Sequence, residues 1–94
     1  MRPTSITHAL TLIQAAGYPA AKIVRAEDIE ESDDEIQIGE NIGVQVGASS
    51  DGLFFYANFS RGEGNDYTSW MGSEQEDPVA AAHEAKNLAT KHGG

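Results

Sequence analysis

No cysteine occurs anywhere in this chain of 94 residues. That excludes a disulfide framework and thiolate zinc sites, and it fits a reducing compartment. Bases are scarce as well: six Lys and Arg stand against 15 Asp and Glu, a formal charge of −9. Between Arg25 and Arg61 lie nine acids and no base, and between Arg61 and Lys86 six acids and no base. A surface of this sign repels phosphates, so direct nucleic-acid binding is not expected. It is equally ill suited to anionic membranes. No apolar run is long enough to span a bilayer, and the opening stretch MRPTSITHALTLIQAAGY lacks the pattern of a signal peptide. The expectation is a cytoplasmic protein. A chain this short makes one domain, residues 1–94, with a modest core, so any site lies on the surface or in a shallow cleft.

What is present is a clear alternation of patterns. Ile6, Ala9, Leu10, Ile13 and Ala16 recur at helical spacing over residues 5–16, with Thr4 or Ser5 as N-cap and Gly17 and Pro19 as the stop. "KIVRA", around Ile23, forms either a short strand or a helical turn. In "IQIGENIGVQV", residues 36–46, Ile36, Ile38, Ile42, Val44 and Val46 share one face of a strand. Gln37, Gly39, Asn41, Gly43 and Gln45 share the other. Glu40 falls on the apolar side, so "GEN" marks a bulge or a tight turn. Asp51-Gly52 predicts a hairpin connection to a second strand, 53–60, in which Phe54, Tyr56 and Asn58 oppose Leu53, Phe55, Ala57 and Phe59. "DYTSWM", 66–71, predicts a third strand. Asp77-Pro78 opens a final helix over 78–91, with acids at its start and lysines towards its end. The fold class is therefore α+β: helix, a three-stranded antiparallel sheet (four-stranded if "KIVRA" joins it), helix, in a two-layer sandwich.

That order is also the order of the double-stranded RNA-binding domain, and "HEAKNLATKH", residues 83–92, resembles the final helix of that family. The resemblance implies kinship of fold only. Where the family carries lysines for phosphates, this chain has the acidic stretch "SEQEDPVAA", residues 73–81.

Motifs for chemistry are missing. A calcium loop begun at Asp28 would place Asp28, Glu30, Ser32 and Asp34 at its first four ligand positions. It then has Asp33 where the turn glycine belongs and Gly39 where the bidentate glutamate belongs. His8, His83 and His92 are dispersed, so no metal site and no cofactor are expected. "GASSDG" departs from a nucleophile elbow at Asp51, and "GEGNDY" lacks the third glycine of a phosphate loop. No catalytic residue emerges, and the chain is not expected to be an enzyme.

The conspicuous feature is "EDIEESDDE", residues 27–35, in which seven of nine residues are acids: Glu27, Asp28, Glu30, Glu31, Asp33, Asp34 and Glu35. Like charges this dense predict an exposed, partly mobile connector over 28–35. Fully extended, the run spans about 27 Å, which gives a charge spacing close to that of phosphates along one DNA strand. A groove built for phosphates binds carboxylates by the same charge-assisted hydrogen bonds. Phe54, Tyr56 and Trp70 add a candidate aromatic contact patch, which would also serve a homodimer.

Small, acidic, cysteine-free domains without catalytic motifs resemble phage-encoded inhibitors of host defence, the anti-CRISPR and anti-restriction proteins. The residues that carry the resemblance are "EDIEESDDE", with Glu63, Asp66, Glu74, Glu76 and Asp77 as a second cluster. It implies a partner in the form of a nucleic-acid-binding protein complex whose basic surface the chain occupies. Two alternatives stay open: an accessory or dimerisation protein whose acids serve solubility, and a small-ligand binder or enzyme subunit using the aromatic face.

Overall fold

The first helix, α1 (Ile6–Ala15), starts where Ser5 accepts the amide of His8 at 3.1 Å and so satisfies one of the free N–H groups of the first turn. It stops in a Schellman arrangement. Gly17 takes a left-handed φ of 119°, its N–H donates to Gln14, and the N–H of Tyr18 donates to Ile13. Ala9 and Ile13 are fully buried and Ile6 and Leu10 pack beside them, whereas Ala16, expected on that face, is exposed. The computed structural model describes residues 3, 5–24, 35–50, 52–62, 64–66 and 68–93.

Five strands follow: β1 (Lys22–Val24), β2 (Glu35–Gly39), β3 (Ile42–Ser49), β4 (Gly52–Arg61) and β5 (Thr68–Met71). They form one antiparallel sheet in the order β1-β2-β3-β4-β5. The α+β class holds, but the three- or four-stranded sheet becomes five-stranded, because "KIVRA" supplies β1 and residues 36–46 are two strands. The tight turn at Glu40-Asn41, with Asn41 at φ 61°, makes the split. A two-residue turn would by itself send Ile36 and Val44 to opposite faces. A register shift between Gln37 and Gly39 cancels that flip, so Ile36 pairs with Val44 and both are buried. The unbroken alternation in sequence thus runs straight through a hairpin. The same shift removes Gly39 from the Gln37 face, and a Cβ there would meet the side chain of Ile42.

Helix α2 (Pro78–Gly93) closes the fold, with Asp77 as its cap: its carboxylate accepts the amide of Val79 at 2.9 Å. Ala81, Ala82 and Ala85 are fully buried, and their small side chains let the helix lie close on β3 and β4, beside α1. The core between helices and sheet is built from Ile13, Ile36, Val44, Val46 and Phe55. Between β5 and α2, residues 72–77 run along the part of β4 that β5 does not reach. Phe55 and Gln75 exchange both backbone hydrogen bonds, at 2.7 and 2.9 Å, and the amide of Gly72 donates to Ala57. That covers an edge otherwise open to pairing with another chain. Glu84 ties this strap to the helix, accepting from the Ser73 amide and from Gln75 Nε2. Among the described residues no helix is long and apolar enough to cross a membrane.

Candidate functional site

Both helices pack on one face of the sheet, so among the described residues the other face is open. Because side chains alternate and the pairing runs Lys22↔Gln37↔Gly43↔Asn58, this face carries Lys22, Val24, Glu35, Gln37, Gln45, Phe54, Tyr56, Asn58 and Ser60. Two glycines of β3 make room for their neighbours. A Cβ on Gly47 would stand 2.4 Å from the Phe54 ring, which lies across the strand, and Phe54 meets Tyr56 edge to face with centroids 5.3 Å apart. A Cβ on Gly43 would stand 2.2 Å from Glu35 Oε1. Glu35 can therefore lie flat across β3 and accept from Asn58 Nδ2 at 3.3 Å.

Beside this contact is a hollow of about 210 Å³, lined by Val24, Glu35, Gln37, Asn41, Ile42, Asn58 and Ser60. It is smaller than the roughly 300–1,000 Å³ of pockets for drug-sized or cofactor-sized ligands. Its walls are amides, one hydroxyl, one carboxylate and the apolar atoms of Val24 and Ile42.

The acidic run enters this face directly. Its last member, Glu35, is not part of a mobile connector: it begins β2, is half-buried and pairs with Val24. Residues 25–34, and with them Glu27, Asp28, Glu30, Glu31, Asp33 and Asp34, lie outside the described residues.

The other predicted residues divide. Phe54 and Tyr56 are half-buried and share the open face with Glu35. Trp70 does not join them. Its partner in the register is Phe59, on the helix side, and its ring is sandwiched between Phe59 at 5.6 Å and His92 of α2 at 4.3 Å. In the second acidic cluster, Asp66, Glu74, Glu76 and Asp77 are exposed, Asp77 serves as the cap of α2, and Glu63 lies outside the described residues. The described residues contain no group of three or more His, Cys, Asp or Glu able to hold a metal. His83 instead shares a hydrogen bond of 2.7 Å between its Nδ1 and the Tyr18 hydroxyl. Burial pushes the Tyr18 hydroxyl above its usual value of 10.0.

Sequence reasoning missed the Glu35–Gly43–Asn58 group. The signal was available: glycine inside a strand costs stability and marks a close approach. Fold and site together define a small two-layer α+β domain with an open polar sheet face. Comparison with known proteins found no matching family model, no matching curated protein and no matching solved structure.

Proposed function

We propose that this chain is a non-enzymatic, acidic protein-binding module that occupies the basic, nucleic-acid-binding surface of a protein complex, in the manner of anti-CRISPR and anti-restriction inhibitors. The observation that carries the reading is the formal charge of −9, with nine acids and no base between Arg25 and Arg61, and with Glu35, the last of the acidic run, set on the open face of the sheet. Negative potential steers a positively charged partner and makes association fast and salt-sensitive. The described lysines of α2, Lys86 and Lys91, are exposed in the helical layer, on the other side of the sheet from that face.

The test replaces Asp28, Glu30, Glu31, Asp33 and Asp34 by Asn or Gln and compares affinity capture by the two chains. The expected result is that the native chain retains a nucleic-acid-binding protein at about 0.15 M salt and the neutral variant, equally folded, does not. Identical capture by both chains rejects the proposal and leaves solubility as the role of the acids.

A further inference from the structure

We infer that the hollow beside Glu35 is a socket for one arginine side chain of that basic partner, with Glu35 as its counter-ion. The inference rests on the reading above that the partner is positively charged. Three features of the open face support it without recourse to residues 25–34.

Gly43 sits in the interior of β3, paired on both sides with Gln37 and Asn58. A glycine there costs roughly 0.5–1 kcal/mol against alanine. What the missing side chain provides is a depression in a central strand, into which the Glu35 carboxylate is lowered: Oε1 of Glu35 occupies the space where a Cβ would be. The neighbouring depression at Gly47 is filled by the Phe54 ring and the one at Gly43 by the Glu35 carboxylate, which also lines the hollow of about 210 Å³ beside it.

Hydrogen bonding orients the walls. The Asn58 amide donates from Nδ2 to Glu35, so its acceptor oxygen, Oδ1, is not the atom turned to that carboxylate. Glu35, Gln37, Asn41 and Ser60 also line the hollow, and each carries an oxygen able to accept. A guanidinium presents five N–H donors in a rigid plane and suits such a set, while a strongly hydrated ammonium does not. Val24 supplies an apolar edge for the methylene stem.

Charge agrees. Glu35 is the one described carboxylate on the strands of this face, and the one described base there, Lys22, stands on the edge strand opposite Gln37. The volume, equal to about seven waters, admits a side-chain head and excludes a nucleotide or a cofactor.

The test titrates the full chain with Nα-acetyl-arginine amide at about 0.15 M salt and follows amide resonances, with Nα-acetyl-lysine amide as comparison. Saturable shifts are expected at Glu35, Gly43 and the Asn58 side-chain amide, with the lysine probe weaker. Glu35→Gln, which keeps shape and loses charge, is expected to weaken the arginine probe about fivefold. Gly43→Ala is expected to abolish the shifts, because Glu35 must leave the depression. The five-acid neutral variant is expected to bind the probe within about twofold of the native chain. If Glu35→Gln binds as the native chain does, or the shifts fall only within residues 25–34, the socket is refuted. A failed socket with an intact difference in affinity capture would overturn this inference alone and leave the proposed function standing.

Discussion

Replacing Gly72 by alanine tests how helix and sheet are held together. A Cβ at this position would stand 1.6 Å from Glu84 Oε1, 2.6 Å from Glu84 Cδ and 3.1 Å from the Ala57 methyl. The methyl can give by a few tenths of an ångström; the carboxylate must leave. In leaving, it surrenders its bonds from the Ser73 amide at 3.1 Å and from Gln75 Nε2 at 2.8 Å. Bonds to a charged group are worth about 1.5–3 kcal/mol when buried and far less in water. Ser73 is exposed and Gln75 half-buried, so the pair is worth about 1–2 kcal/mol together. The backbone of Gly72 is not in the left-handed region, so alanine adds no strain there. Glu84→Ala loses the same two bonds without the clash. Each single change is therefore expected to cost about 1–2 kcal/mol, and the double change no more than either alone, a coupling of about 1–2 kcal/mol. Urea unfolding reads this well. The single tryptophan, Trp70, is stacked on His92 of α2, so its fluorescence reports the docking of helix on sheet. With a slope near 1 kcal/mol/M, each variant shifts the midpoint by about 1–2 M. Additivity of the two changes to within about 0.3 kcal/mol would refute the assignment of Glu84 as the tie between strap and helix.

Other outcomes follow from the same structure. Phe55→Ala, at a fully buried ring in the core, is expected to cost about 3–5 kcal/mol in urea unfolding. Ser5→Ala removes the acceptor for the His8 amide and is expected to cost about 1 kcal/mol, with amide exchange accelerated in the first turn of α1 only. The raised pKa of Tyr18 means the folded state holds that proton more tightly than the unfolded chain does. Its contribution is thus complete below the ordinary value of 10.0 and is lost as pH rises through the folded value. Unfolding midpoints at about pH 9 and about pH 11 should differ less in Tyr18→Phe than in the native chain; an equal difference would contradict burial of the hydroxyl. Neutralising Asp28, Glu30, Glu31, Asp33 and Asp34 relieves repulsion and is expected to leave stability unchanged or raise it by up to about 1 kcal/mol, most visibly at low salt.

The helices were legible because their signals are local. Ser5, Gly17, Asp77 and Pro78 act within one turn of where they stand. The strand 53–60 was legible for the same reason, since Asp51-Gly52 and strict alternation need no distant partner. The hairpin inside 36–46 was hidden because bulge and turn each shift the pattern by one residue and the shifts cancel. Only Glu40, an acid on the apolar side, betrays the turn. The side taken by Trp70 depends on the register across residues 62–67, where a 3-10 turn at Gly64–Asp66 breaks any count of alternation. The Glu35–Gly43–Asn58 group needs the registers of β2, β3 and β4 together, and none of them can be read from a single segment. The acidic run was visible at once, but that its last member, Glu35, begins a strand paired with Val24 was not, because that pairing joins segments eleven residues apart.

The central claim is that concentrated negative charge on this domain displaces nucleic acid from a basic protein surface. The most direct measurement takes the protein captured by the native chain, binds it to a fluorescent oligonucleotide, and follows anisotropy as the domain is added. The native chain is predicted to displace the oligonucleotide, less effectively as salt rises, while the five-acid neutral variant leaves it bound. Displacement by the neutral variant at the same concentration, or a captured protein that binds both ligands at once, would contradict the claim.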